Sequence, residues 1–409
     1  MTAVMIESGV APKLAGLVAS VLGGPLPVRL RAWDGSEAGP ATGPVLVIRD
    51  RRALRRLLWT PGELGIAQAY IAGEIDVEGD LGAALRRVWQ PRPGGFHLSW
   101  SERLRALRTV LSLGVAGPKP PAPDIEARID GTLHSRERDK AAISYHYDLS
   151  NRFYELILDE RMAYSCAYWM SDAPTYGLAE AQTDKLDMIC RKLGLEPGMR
   201  LLDIGCGWGA LALHAARHYG VRVTGVTLSE QQREFVLARV GDLPVEIRLQ
   251  DYRDIPDGPY DAISTIEMGE HVGRDQYPVF AAQLHHLVRA GGKVLVQQMS
   301  RGAHAPGGGA FIESYVAPDM HMRPLGRTID LLAEPGFEIR GVQAMREHYV
   351  RTIDAWSDTL ESRWTEAVTL VGEPMARVWR LYLVGAAMAF DAGRMGVDQI
   401  LLERPTWSS

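Results

Sequence analysis

The stretch that most constrains the fold is Arg200 to Gly209, RLLDIGCGWG. A short apolar run carrying one acid, Asp203, ends at Ile204, and Gly205, Gly207 and Gly209 then alternate with Cys206 and Trp208. Ala210 to Tyr219 follows with helical spacing. A strand that enters a helix through glycines opens an α/β sheet, because glycine takes positive φ freely and lets a ligand approach the backbone. The alternation continues. Val221 to Thr227, Val245 to Leu249, Tyr260 to Ile266 and Gly292 to Gln298 read as further strands. Ala181 to Leu193 and Glu230 to Val240 read as helices. Strands separated by helices predict a mostly parallel, Rossmann-like sheet with helices on both faces. The predicted class is α/β, with a smaller α+β domain ahead of it.

The glycine spacing, GCGWGA, falls one residue short of the dinucleotide pattern GxGxxG. An acid on the strand just before the glycines would repel a pyrophosphate. It suits a cationic ligand, such as a sulfonium bearing an amino group. The pattern resembles the first motif of class I S-adenosylmethionine-dependent methyltransferases, and makes Asp203, Gly205 and Gly207 cofactor candidates. An incidental glycine-rich turn and a nicotinamide site are the alternatives. After the second strand, Ser229 is placed to cap a helix, with Gln232 at its third position as in a capping box. Thr227 and Gln232 are also placed to line an adenosine pocket. After the third strand, Asp251 or Tyr252 stands where an adenine contact is expected, or is simply a loop residue.

The chain has 409 residues, a length for two or three domains. Residues 1–115 form a first zone, in which Pro44 to Ile48 reads as a buried strand and Arg49 to Trp59 as an amphipathic helix with a cationic face. Residues 116–138 form a linker, since 115–125 are rich in Pro and Gly. Residues 139–409 form the large domain. Forty-five basic against fifty acidic residues give a net charge of −5, which supplies no global drive toward nucleic acid. Three cysteines without a CxxC pair argue against a disulfide framework and a Cys-rich zinc site, and no metal is expected. No apolar run reaches the roughly 18–20 residues of a membrane span. The N-terminal residues carry no signal-peptide pattern, so the expected address is the cytoplasm. The basic residues are mostly Arg. That bias fits a GC-rich genome, or phosphate recognition by guanidinium groups.

Four segments together resemble the cyclopropane-fatty-acid synthase family. They are Tyr145 to Asn151 with Phe153 and Tyr154; Tyr164 to Tyr168; Leu202 to Gly209 with Val226 to Gln232; and Glu267 to Gly273. Gly65 to Glu74 resembles the family's N-terminal lipid-binding domain. The resemblance implies transfer of the S-adenosylmethionine methyl group to a cis double bond of a phospholipid acyl chain, followed by loss of a proton to a base. It implies bicarbonate as that base, held by a Cys, a Glu, a His, a backbone position and a Tyr. These side chains fall on Cys166, Glu270, Gln297 in place of the His, and Tyr349. A neutral amide can donate a hydrogen bond to bicarbonate, but it carries no charge and takes no proton. Tyr315 to Met320 also departs from the family pattern. These departures, with Met320 to Pro324 and Gly393 to Gln399, resemble an actinobacterial branch. That branch forms a 10-methylene acyl chain, the precursor of 10-methylstearate (tuberculostearate). The resemblance further implies a homodimer and a separate reductase for the methylene product.

Cys166 is expected to shape the base site and Glu270 to orient the base or accept the proton. Tyr164 and Ser165 are expected at the methionine part of the cofactor, and His271 as a supporting residue. Tyr147, Trp169, Tyr315 and Trp356 are candidates to stabilise a carbocation or, equally, packing aromatics. Ala303 to Gly309 reads as a mobile loop. The Arg-rich stretches 49–56 and 102–108 are expected to meet anionic headgroups, placing the protein peripherally on the inner face of the cell membrane. The alternatives are a methyltransferase for a small molecule or a carrier-bound acyl chain, and a lipid-binding protein without catalysis.

Overall fold

The computed structural model describes residues 9–22, 24–88, 108–109, 112–127, 129–147, 150–303 and 309–406. They divide into two compact units, Met1–Glu126 with Glu373–Gly385, and Ala127–Gly372 with Ala386–Ser409. The division thus falls later than residue 115, and a piece of the C-terminal region joins the first unit. One reason is Arg377, whose guanidinium donates to Asp76 at 3.1 Å and to the Tyr70 carbonyl at 3.3 Å.

The first unit holds a four-stranded sheet of β1 (Arg29–Arg31), β2 (Glu37–Ala38), β3 (Val45–Ile48) and β4 (Ile75–Glu78), in the order β2-β1-β3-β4. The helices α1 (Val10–Leu22), α2 (Arg52–Trp59), α3 (Glu63–Ile71) and α4 (Leu81–Val88) accompany it. Ala11, Leu14, Leu30, Ile48, Ala53 and Ala69 make its core. The expected cationic face of α2 is smaller than the sequence implied. Arg56 is buried and donates to both oxygens of Glu74, at 3.0 and 2.8 Å. Arg55 donates to the Val115 carbonyl at 2.9 Å. Arg51 and Arg52 stay exposed. Most of the second Arg-rich stretch, 102–107, lies outside the described residues.

The second unit holds seven strands: β5 (Arg200–Ile204), β6 (Arg222–Thr227), β7 (Val245–Leu249), β8 (Tyr260–Ile266), β9 (Val288–Arg301), β10 (Glu338–Ala344) and β11 (Met395–Glu403). Their order is β10-β11-β9-β8-β5-β6-β7. β5 to β9 run parallel, and β10 and β11 add an antiparallel edge. β9 extends beyond the expected Gly292 to Gln298 at both ends, because β11 pairs with it as far as Arg301 and β8 pairs with it at Val288. The helices are α5 (Arg136–Tyr147), α6 (Asn151–Ile157), α7 (Leu178–Leu193), α8 (Ala210–Tyr219), α9 (Glu230–Val240), α10 (Tyr277–Leu287), α11 (Gly309–Tyr315), α12 (Leu325–Ala333), α13 (Arg346–Ser362) and α14 (Trp364–Val371), while α15 (Glu373–Asp391) is divided between the two units after Gly385.

Successive strand residues feed opposite faces of the sheet. Leu201 and Leu295 pack with Leu186, Leu211 and Ala215; Leu202, Val294 and Val296 pack with Phe280 and Leu284. Burial on both faces is why these strands read as continuous apolar runs. The chain enters at β5, moves outward to β7, then crosses back to β8. The switch point lies between β5 and β8, and the carboxyl ends of those strands border the crevice where such sheets bind ligands.

Candidate active site

A cleft of about 1270 Å³, counted out to its open mouth, lies at that switch point. It is bordered by Tyr164, Ser165, Asp203, Gly205, Gly207, Thr227, Gln232 and Tyr252, so the eight expected cofactor residues meet in one place. Gly205 has φ +76° and Gly207 φ +53°. A β-carbon at Gly205 would lie 2.9 Å from Met268 Cγ, so the turn closes only with glycine there. Trp208 braces the turn: its indole N–H donates to Asn151 at 2.9 Å and its ring lies 4.5 Å from Tyr154. This gives the segment around Asn151 and Tyr154 a physical reason to accompany the glycine motif. The side chain of Tyr147 and residues 148, 149 and 304–308 lie outside the description.

Asp203 is buried and accepts from Ser264 Oγ at 2.8 Å. Burial pushes its carboxyl up to about 6. Beside it stands a residue the sequence reading missed. Lys185, fully enclosed on α7, donates to Ser165 Oγ at 2.8 Å. Burial lowers its pKa, opposed by Glu267 and Asp159. Its helix showed only apolar spacing, and nothing local marks a lysine that points inward. Thr227 donates to Gln232 Oε1 at 2.7 Å, while the Gln232 N–H donates to Ser229 Oγ at 3.2 Å. Only half of the expected capping box forms, because the Gln232 side chain turns to Thr227. Asp251 accepts three bonds from Arg253, at 2.6–2.9 Å, and the Tyr252 ring meets the edge of Phe280 at 5.3 Å. Both border the cleft.

The second cluster forms around a residue outside the expected set: Cys166, Gln297 and Tyr349 all donate to Glu267. Glu267 Oε1 accepts from the Cys166 backbone N–H and from Gln297 Nε2, both at 2.8 Å, and Oε2 accepts from the Tyr349 hydroxyl at 2.6 Å. Gln297 is oriented from behind. Its oxygen accepts from Gln399 Nε2 at 2.8 Å, and the Gln399 oxygen accepts from Lys192 Nζ at 2.7 Å. An ammonium only donates, so the relay fixes the Gln297 NH₂ toward Glu267. Cys166 contributes its main chain. Its thiol is fully buried, faces the Ala167 and Met345 carbonyls, and is held neutral as burial pushes its pKa well up.

Glu270 sits three residues on, buried in a 3₁₀ turn (Gly269–His271). One oxygen accepts from the Met299 N–H, and the other has no partner among the described residues. Burial first, then the Glu267 charge, pushes its carboxyl up to about 8. Glu270 is therefore a neutral acid at neutral pH beside a hydrogen-bonded carboxylate. Of this pair, Glu267 borders the cleft. Arg323, another buried residue outside the sequence reading, holds the turn by donating to the carbonyls of Gly269, Val272 and Gly273. Among the aromatic candidates, Trp356 packs on Tyr164 at 5.3 Å and Trp169 donates to Thr352 at 3.1 Å. Tyr315 is buried, with its ring 6.2 Å from that of Phe311.

A family model described as mycolic acid cyclopropane synthetase matches residues 134–400. The chain belongs to this family. It is an S-adenosylmethionine-dependent methyltransferase. It is 36% identical over 392 residues to a probable fatty acid methyltransferase of Pseudomonas putida, covering 93% of this chain and 92% of that one. It is 33% identical over 397 residues to the tuberculostearic acid methyltransferase UfaA1 of Mycobacterium tuberculosis, covering 93% and 88%. Among solved structures it is similar to the mycolic acid cyclopropane synthase CmaA1 complexed with SAH and CTAB. That similarity is 33% identity and a TM-score of 0.61, over 64% of this chain and 98% of that one.

The cleft of this cyclopropane synthase relative fits S-adenosylmethionine. Asp203 offers a carboxylate to a cation, and the glycine turn leaves backbone accessible beside it. Bicarbonate does not fit. Of the residues the resemblance assigned to it, Gln297, Tyr349 and the Cys166 N–H all donate to Glu267, and only Glu270 keeps an oxygen without a partner among the described residues. A further anion would meet the Glu267 carboxylate where these donors converge.

Proposed function

We propose that this methyltransferase acts on the cis double bond of an oleoyl chain in a phospholipid and yields a 10-methylene acyl chain. The observation that supports this reading is the reach of the similarity. The tuberculostearic acid methyltransferase is matched over 93% of the chain, whereas the mycolic acid enzyme is matched over 64%. Asp203, Gly205, Gly207, Thr227, Gln232 and Tyr252 hold the adenosine end of the cofactor, and Tyr164 and Ser165 its methionine end. S-adenosylmethionine supplies an electrophilic methyl group on a sulfonium. An alkene is a weak nucleophile, so the protein's task is to hold it close, in line and dry. The resulting cation on the chain has two fates. A hydride shift followed by proton loss gives the methylene, and direct closure gives a cyclopropane. The methylene is an alkene, so conversion to a methyl branch takes a two-electron reduction by a separate reductase.

The first unit serves to meet the lipid. Leu58, Trp59 and Ile66 on α2 and α3 are exposed apolar side chains, and Arg51 and Arg52 are exposed at the start of α2. Exposed apolar side chains and exposed cations on one unit suit an anionic membrane surface. No helix among the described residues is long and apolar enough to cross a membrane. The test is product analysis. Purified enzyme, S-adenosylmethionine and dioleoyl phospholipid vesicles are combined, and the lipid is read by mass spectrometry and proton NMR. Vinylidene protons are expected; upfield ring protons would replace the methylene by a cyclopropane.

A further inference from the structure

Glu267 borders the cofactor cleft and gathers donors from three distant segments, the Cys166 N–H, the Gln297 amide and the Tyr349 hydroxyl. It does so at φ +52°, a left-handed backbone that a glutamate adopts only at a cost. Strain of this kind marks positions held in place by their surroundings, and it clusters at functional sites. The turn over Glu267–Gly273 is pinned from several sides: the Glu267 N–H donates to the Gln297 carbonyl at 2.6 Å, and Arg323 clamps the carbonyls that follow. An anion site is thus built here, and the protein fills it with its own side chain.

We infer that Glu267 is the base of the reaction, a carboxylate carried by the chain in the place of bicarbonate. The inference rests on the acyl-methylation reading. Once the methyl carbon has bonded to the chain, one C–H bond of that methyl breaks and its proton passes to Glu267. The electron pair left behind forms either the C=CH₂ bond or the third bond of the ring, and Glu267 becomes a neutral carboxylic acid that later releases the proton to water. No external oxidant, reductant or anion is needed, and the step is the same for both products. Gln297 and Tyr349 are positioning residues. Their bonds hold the carboxylate toward the cleft and oppose the upward push that burial gives its pKa.

The test compares the full-length wild type with Glu267→Gly, a substitution that also relieves the left-handed strain. Turnover on dioleoyl phospholipid vesicles is measured in buffer stripped of carbon dioxide and with bicarbonate restored. Binding of ¹³C-bicarbonate is followed by NMR, S-adenosylmethionine affinity by calorimetry and folding by thermal melting. The wild type is expected to turn over equally with and without bicarbonate and to show no bicarbonate binding. Glu267→Gly is expected to lose 10²–10⁴-fold in kcat while keeping its cofactor Kd within about threefold, and to regain at least tenfold when bicarbonate fills the emptied donors. A wild type that slows several-fold without bicarbonate, or that binds it, overturns the inference. So does a variant whose cofactor affinity falls in parallel with its rate, since Glu267 would then be a cofactor ligand. Absence of product from wild type on every unsaturated phospholipid would instead defeat the acyl-methylation reading, and the NMR arm would still decide whether the anion site is filled.

Discussion

Replacing Glu270 by Gln should stabilise the protein, and increasingly so as pH rises. The Glu270 carboxyl titrates at about 8 in the fold against 4.5 for the free group. The physical causes are its burial and the neighbouring Glu267 charge. A carboxyl whose folded pKa is raised contributes stability that is fully present below the unfolded pKa and is lost as pH rises through the folded one. Between about pH 4.5 and 8 the folded chain holds a proton that the unfolded chain has released, so stability falls across that window. At pH 7 the cost is about 1.4 kcal/mol for each of some 2.5 units, or about 3 kcal/mol. Glutamine keeps an oxygen for the Met299 N–H and has no charge to bury. Unfolding entropy is about 2.1 cal/mol/K per residue, so for a unit of roughly 270 residues 3 kcal/mol corresponds to about 5 °C in Tm. The assay is differential scanning calorimetry of wild type and Glu270→Gln from pH 5 to 8.5. The gap should be near 1 °C at pH 5 and widen to several degrees by pH 8. A gap that is constant across the range, or a less stable variant at pH 8, would refute the assignment of a protonated Glu270.

Three further outcomes are expected. Asp203→Asn should weaken S-adenosylmethionine binding by about 10–100-fold in calorimetry, the worth of a hydrogen bond to a charged group, with no loss of Tm. Arg56→Ala should destabilise the first unit by about 3–5 kcal/mol in thermal unfolding, because it leaves Glu74 buried without its partner, and Arg56→Met with Glu74→Leu should recover most of that. Gln399→Leu should lower kcat about tenfold in the product assay while leaving the cofactor Kd unchanged, because it frees the Gln297 amide to rotate away from Glu267.

The sequence by itself determined the architecture and the cofactor half of the site. Periodicity and glycine are local signals: a buried parallel strand must be apolar, and the turn after β5 must be glycine because Gly205 takes positive φ against Met268. The candidates flanking these signals, from Tyr164 to Tyr252, therefore come to one cleft. β10 and β11 were not read as strands, since the edge strand β10 is largely exposed and polar residues (Asp398, Gln399) interrupt the apolar run of β11. The surroundings of Glu267 were decided by tertiary structure. Glu267 and Glu270 lie three residues apart on one turn, and no local pattern tells which of them meets Cys166, Gln297 and Tyr349, residues brought from three distant segments. The left-handed backbone at Glu267 sends its carboxylate into the cleft, and burial without a second partner leaves Glu270 neutral. Lys185 and Arg56 make the same point, since a charge inside a fold is set by partners far along the chain, such as Glu267 for the lysine and Glu74 for the arginine. Composition and spacing carry no record of those partners, because the pairing exists only once the sheet has brought the segments together.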